Sequence, residues 1–566
     1  MGGGVLMSSL FFSASFAVNA QIWEKERQSV LLNDNNNDGS TSHSICQSIK
    51  YEHTVMACAR QYDPPTPGIN LTYEMVLYEF DKFGIETQRV SLANPIAGNE
   101  RHLIPTKVVK KTHGNAGYYV LAYTANNNPI SPSSTNNWTG NTTPVIFEFN
   151  QLFQMVASTE ITSMDGILLD MEISPLGYIL LSGYEDVSPF KLLSNDRYGI
   201  VMKMTPTFTI VWTQSRSLGG TNPGYHERFD VIESVHCFMY AGQERYFLSG
   251  ATTKQELIPS SPPYPYIYYV PYSLAILIDD AGNLLWETNA KRNGMGADAI
   301  YDPVKNEIIH LINGYDIGIS PVASLVTYNA LSGMIGPGFA YEGNPTLTSQ
   351  NNQKSFHDLY NLEIEKAGTG SGDYRIFGLT PEFFSENLKQ STVFGQMHNL
   401  ITLSYNNNSR TFSDMLFYPT NTEETYWANP SLIGHLPKES YYDGLVVPSN
   451  KMNVSLFFSQ ENSMVWINNA DFEMSGTYKF GNFGLGKNVT AFFQSGTRLL
   501  KSDITSIEFC NKNRVVIDAT SVSFTNAELY SPLSFRFYTT SSYNPTIKLH
   551  LNSSPDCTSA LPPFKP

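Results

Sequence analysis

The stretch Ala275-Ile-Leu-Ile-Asp-Asp-Ala-Gly-Asn-Leu-Leu-Trp286 reads as a strand, a tight turn and a second strand. The apolar run ends at Ile278. Asp279 and Asp280 are turn formers, Gly282 accepts positive φ without strain, and Leu284-Leu-Trp286 resumes an extended segment. The same grammar recurs. Strand-like runs end at Asp81, Asn150, Thr205, Asn329, Asn406 and Asn468 as well as at Asp279. From Asp81 to Asn468 is 387 residues in six intervals, about 64 each. A strand-built repeat of that length points to radial or stacked architecture.

A second strand precedes each of these runs. It is read at 53–60, 118–124, 178–183, 246–250, 307–312, 374–378 and 454–458. These runs are continuously apolar, as strands covered on both faces are. A further strand follows the turn at 210–213, 284–287 and 474–480, and an innermost one precedes the others at 103–112, 168–174, 229–235 and 359–365. Four antiparallel strands repeated seven times predict a seven-bladed β-propeller over 43–480, in which neighbouring blades bury the faces that one blade leaves bare. A pair of β-sandwiches with accidental regularity is the competing arrangement.

Ile278-Asp-Asp-Ala-Gly-Asn-Leu-Leu-Trp286 resembles the strand-turn-strand core of bacterial propeller repeats, shared by quinoprotein-type repeats and many secreted surface propellers, and 75–84 is a partial second match. The resemblance implies the fold and carries no implication of a quinone. Elsewhere the units drift: Phe153, Phe208 and Asp471 stand where a turn glycine is expected.

The ends read differently. An apolar core at 5–18 closes on Val18-Asn19-Ala20, a small-residue cleavage pattern, so 1–20 is expected to be an export signal; an apolar strand is the alternative. Residues 21–42 read as a polar linker. Asp34-Asn-Asn-Asn-Asp38-Gly39 matches half a calcium loop, but Ile45 falls where the bidentate carboxylate belongs. The rhythm stops near Phe480 and glycines follow at 481, 484 and 486, so 481–566 is expected to form a separate β-sandwich-like module.

Charged residues are 15% of the chain, aromatic ones 13%, and the formal net charge is −15. That balance argues against nucleic acid and anionic membranes and suits an extracytoplasmic all-β protein. There is no apolar stretch long enough for a confident membrane span. In the export setting the five cysteines are expected to pair as Cys46–Cys58 across a first hairpin and Cys510–Cys557 in the C-terminal region, with Cys237 left as a small buried residue.

No nucleophile elbow, phosphate loop or metal-ligand spacing is present. His113, His226, His236, His310 and His357 are scattered, and neither metal nor cofactor is expected. The clue to function is uneven loop length. Connections between second and third strands are long: 61–74, 125–144, 184–198, 251–272 and 381–397. In a propeller these all emerge on one face, where binding resides. Trp138 sits in one of them. Tyr264, Tyr266, Tyr268, Tyr269 and Tyr272 load another, stiffened by proline, and offer large contact area at low entropy cost. The expectation is a secreted or cell-surface propeller that binds a protein or polysaccharide through this face, as adhesin, surface subunit or scaffold, with self-assembly an option. The alternative is an enzyme acting on extracellular polysaccharide with carboxylates in the propeller channel.

Overall fold

The computed structural model describes residues 23–28, 41–50, 53–62, 72–81, 86–93, 102–125, 142–186, 197–216, 230–258, 266–290, 294–314, 324–342, 360–366, 372–380, 399–418, 454–458, 463–470, 477–478, 489–490, 496–503, 513–514, 518–522 and 533–548. They hold thirty-five strands, numbered β1–β35 in chain order, and no helix. Seven sheets contain four or five strands each; a small pair joins β28 (Thr477–Tyr478) to β29 (Val489–Thr490).

Six of the seven sheets are built from four consecutive antiparallel strands, over 41–93, 102–161, 166–216, 230–288, 294–342 and 360–418. Their first strands are β2 (Thr41–Gln47), β6 (His102–Lys110), β10 (Gly166–Ile173), β14 (Asp230–Tyr240), β18 (Gly294–Asp302) and β22 (Tyr360–Lys366). Each of these touches the first strand of the next sheet. The edge strand of the seventh sheet, β26 (Val454–Phe458), touches β22 on one side and β2 on the other, which closes the cycle. This is a propeller-type arrangement. It explains the apolar second strands: Val120, Leu121, Ala122 and Tyr123 alternate between two sheet faces, yet all are buried because both faces are covered.

The turn residues act as the sequence predicts in five units. Asn150 Oδ1 accepts from the Leu152 and Gln154 N–H groups, and Asp279 Oδ1 from those of Ala281 and Asn283. Thr205, Asn329 and Asn406 accept from Thr209, Leu331 and Ser409. Gly282 and Gly333, both at positive φ, lie flat against Trp212 and Trp286 of the preceding sheet; a Cβ on Gly333 would come within 2.6 Å of the Trp286 ring. Phe153 and Phe208 adopt the same left-handed backbone, φ 53° and 63°. Their rings are buried, edge-on to Tyr118 and Tyr119. Left-handed backbone costs an ordinary residue about 1–2 kcal/mol, whereas burying a phenyl ring returns about 1.5–3 kcal/mol. Burial therefore wins, and phenylalanine replaces glycine there.

The seventh sheet corrects the expected register. Asn468 is not a turn residue. It lies inside β27 (Ser463–Ala470), opposite Val454. The run at 454–458 is thus the innermost strand, not the second, and the sheet is completed by β30 (Gly496–Asp503) and by β1 (Trp23–Gln28). Part of the expected linker at 21–42 is therefore a strand that closes the cycle; the calcium-like stretch 34–39 lies outside the described residues.

Residues 481–566 form no separate sandwich among the described residues. Past β30, they run back along the rim as fifth strands. β31 (Asn513–Arg514) joins the sixth sheet, β32 (Asp518–Val522) the fifth, β33 (Ser534–Phe535) the third, β34 (Thr540–Ser542) the second and β35 (Thr546–Lys548) the first. The outer strands of these five sheets would otherwise carry unpaired N–H and C=O groups, and the returning strands pair with part of them. Side chains fasten the strap: Tyr543 is buried edge-on to Phe147, and Arg536 sits 3.2 Å from Glu185 and over the Tyr198 ring.

The cysteine pairing also needs correcting. In the first hairpin Cys46 faces Val55, and Cys58 faces Ser42, so the two cysteines are not opposite each other. Cys46 and Cys237 are buried free thiols, and burial pushes the Cys46 thiol up to about 12. Cys510, Cys557 and the expected export signal lie outside the described residues.

Candidate functional site on the sheet axis

The first strand of a sheet is paired on one side only, and its other edge faces the axis. Its outward N–H groups therefore need acceptors from elsewhere. Each of six first strands carries a register shift, and the residue just after it is Ser44, Lys107, Asp170, Ser234, Asp298 or Glu363. These positions recur every 63–65 residues, in phase with the repeat. The bulge re-aims the side chain toward the next sheet. Ser44 Oγ accepts from the Val108 N–H at 3.1 Å, Asp170 Oδ2 from Val235 at 3.2 Å, and Asp298 Oδ2 from Ile364 at 3.1 Å.

A second tier lies two residues further on. Glu172 Oε2 accepts from the Cys237 N–H at 2.8 Å, and His236 Nε2 from the Tyr301 N–H at 3.2 Å. Accepting at Nε2 places the His236 proton on Nδ1, which lies 3.8 Å from Glu172 Oε1. Lys107 departs from the pattern: its Nζ lies 3.0 Å from Asp170 Oδ1 in the neighbouring sheet.

The result is an axial lining with two carboxyl pairs at i, i+2, Asp170 with Glu172 and Glu363 with Glu365. Residues so spaced share a strand face, with Cα atoms about 6.5–7 Å apart. Burial, then the charges of Asp298 and Glu363, push the Glu365 carboxyl up to about 8; Lys107 opposes the shift. Burial likewise raises Glu172 well above the usual carboxylate range. Burial lowers His236 despite Asp298 and Asp170, so it is held neutral. For Lys107 burial works against the ammonium, but Asp170 and Glu363 outweigh it and keep the charge on. The side chains of Lys107, Glu172 and His236 are 27%, 32% and 23% exposed, so solvent and ligands reach them.

Other polar clusters are sealed. Ser249 Oγ lies 2.7 Å from His310 Nε2, and the other ring nitrogen faces Tyr328, but both Ser249 and His310 are fully buried between sheets four and five. Burial drives His310 down to about 3, so the pair is a neutral packing network closed to substrate. Arg216, also fully buried, bridges Asp230 at 2.6 Å and Glu287 at 2.5 Å between sheets three and four. Among the described residues no three His, Cys, Asp or Glu side chains gather as metal ligands would.

The residues expected to form a binding loop are placed otherwise. Most of the connection 251–272 is strand. β15 (Gln243–Ile258) pairs with β16 (Tyr266–Asp279) from Arg245–Asp279 out to Ile258–Tyr266, forming a long hairpin arm. Tyr266, Tyr268 and Tyr269 are strand residues of that arm, and Tyr272 is buried at its root. Tyr264, Trp138, His226 and His357 lie outside the described residues. Three lysines close in sequence part ways: Lys107 enters the axis, Lys110 donates to the Ser48 carbonyl, and Lys111 pairs with Glu148. The axial residues were missed individually. The available signal was a charge inside an apolar innermost run, as in Leu168-Leu-Asp-Met-Glu-Ile173, recurring in phase with the repeat.

No protein-family model matches the chain, and no curated protein sequence matches it. Among solved structures it is similar to a phage phi92 endosialidase, with 9% identity over 83% of this chain and 70% of that one and a TM-score of 0.37. It is similar to a Trypanosoma rangeli sialidase in complex with the inhibitor DANA, with 9% identity, 85% and 91% coverage and a TM-score of 0.27. A putative hydrolase from Bacteroides ovatus ATCC 8483 gives 9% identity, 65% and 92% coverage and a TM-score of 0.24. With overlaps this loose, the fold rests on the cyclic sheet pairing and the site on the axial side chains.

Proposed function

We propose that the chain is an exported seven-bladed propeller whose axial channel binds and hydrolyses a glycan. The observation that carries this is the Glu363–Glu365 pair. Glu365 holds its proton to about pH 8 and is suited to protonate a leaving oxygen, and a neighbouring ionised carboxylate is suited to act as base or nucleophile. The Cα atoms of an i, i+2 pair on a strand lie about 6.5–7 Å apart, from which two Glu side chains can set their carboxyl groups at the separation of about 5–9.5 Å that glycosidic cleavage uses. The experiment is release of reducing ends from a panel of neutral polysaccharides by the intact protein. Glu365→Gln is expected to lose about a hundredfold or more in turnover while retaining binding. Full activity in that variant would refute the assignment.

A second reading, attachment to a macromolecule without chemistry, is favoured by the β15–β16 arm, which continues six residue pairs past Thr252–Tyr272. Excising 253–271 should then abolish surface binding and leave glycan cleavage untouched.

A further inference from the structure

Five axial N–H groups donate to a side chain of the preceding sheet: Val108 to Ser44, Val235 to Asp170, Cys237 to Glu172, Ile364 to Asp298 and Tyr301 to His236. Four of these acceptors are hydroxyl or carboxyl oxygens, which keep a lone pair whether or not the group carries an extra proton. The fifth is an imidazole nitrogen. Proton uptake turns His236 Nε2 from an acceptor into a donor, and a donor cannot hold the Tyr301 N–H that now lies 3.2 Å from it. The same two sheets are also tied on the axis by Ser234 Oγ, which donates to the Ala297 carbonyl at 3.0 Å, and that contact does not titrate. The fourth and fifth sheets therefore meet through one contact that acid leaves alone and one that acid reverses.

We propose that His236 is a proton-operated latch in the channel wall: its neutral Nε2 ties the fourth sheet to the Tyr301 N–H of the fifth, and acid releases that tie while the other axial contacts persist. The ring side chain is 23% exposed, so protons reach it from the channel. Its Nδ1 faces Glu172 Oε1 at 3.8 Å, which leaves Nε2 as the nitrogen that takes the proton. Asp170 acts on the ring from β10 and Asp298 from β18, and Lys107 is taken up by Asp170. On its own strand Cys237 follows, then Phe238 with its ring 6.0 Å away. β11 (Ile179–Asp186), β12 (Arg197–Met204) and β15 also pack on β14, and their Glu185, Lys203 and Glu244 engage Arg536, Asp280 and Tyr246. Burial holds the ring below the ordinary histidine affinity, against Asp298 and Asp170. The folded state thus resists the proton, and the junction weakens as pH falls below the usual histidine range.

The test needs no glycan, so its outcome is independent of the reading above. Amide hydrogen exchange of the intact, unaltered protein is followed at single residues from pH 8 to pH 4, and the His236 ring resonance is titrated over the same range. As the ring takes its proton, protection of the Tyr301 N–H is expected to fall about tenfold, the value of one hydrogen bond. Val108, whose acceptor is a hydroxyl, should stay within about threefold and serves as the internal reference. In His236→Gln an amide oxygen can accept at every pH, so Tyr301 protection should become independent of pH. A ring that stays neutral down to pH 4 overturns the latch, as does a ring that titrates without any change at Tyr301. Equal loss at Val108 and Tyr301 would mean general acid loosening of the propeller and would overturn it too. Persistence of the acid effect at Tyr301 in His236→Gln would assign the effect to another group.

Discussion

The fourth and seventh sheets reach the same four-stranded arrangement by opposite routes. The fourth is drawn from one continuous stretch, 230–288, each strand pairing with the next through a short turn or the β15–β16 arm. The seventh collects β26 and β27 from 454–470, β30 from 496–503 and β1 from the opposite end of the chain. The difference teaches where the cyclic arrangement is vulnerable. A local sheet closes small loops and loses little entropy in doing so, whereas the closing sheet needs contacts across nearly the whole chain.

The comparison is broken most severely by removing β1. Deleting 23–28 leaves an outer edge on the sheet that closes the cycle. The apparent Tm is expected to fall by at least about 10 °C, with loss of a single cooperative transition. Deleting 253–271 from the arm of the fourth sheet should move it by less than about 2 °C. A calorimetric scan of both checks this, and equal effects would erase the contrast between the two sheets.

The junction between sheets three and four is next. Arg216→Met leaves Asp230 and Glu287 buried without their cation, and is expected to cost about 3–5 kcal/mol in denaturant unfolding. A cost near zero would mean the triad is dispensable to the local sheets.

At the turns, Phe208→Gly gains about 1 kcal/mol of backbone relief and loses about 2–3 kcal/mol of burial, so a net loss of about 1–2 kcal/mol is expected. Gly282→Ala should be destabilising by a similar amount, because positive φ and the Trp212 ring both oppose the methyl group. A stabilising Phe208→Gly would show that strain, not packing, dominates these turns.

A further effect is on the pH dependence of stability. Glu365 binds its proton more tightly folded than unfolded, so between about 4.5 and 8 the folded state carries more protons. Stability is therefore expected to fall as pH rises through that window. Glu365→Gln should flatten the slope, as read from unfolding midpoints at pH 5 and pH 8. His310 acts at the other end. Its lowered affinity makes the unfolded state take up the proton first, so stability is lost as pH falls from about 6.5 toward 3.

The sequence by itself determined the local units. The central strand pairs of six sheets and five turn anchors follow from apolar runs ended by Asp, Asn or Thr, because hairpins between adjacent strands are set by neighbouring residues. Even the departures at Phe153 and Phe208 were visible as missing glycines, though not their solution by ring burial. What only the tertiary structure decided is what depends on distant pairing: β1 and β30 as closing strands, β31–β35 as rim strands, and Val454 to Phe458 as an innermost strand. Short polar strands such as Thr540–Ser542 carry no apolar pattern to announce them, since they satisfy edges and do not fill a core. The axial site belongs to the same class. Lys107, Asp170, Asp298 and Glu363 are ordinary charges in sequence, and only the closing of the cycle brings their four strands together.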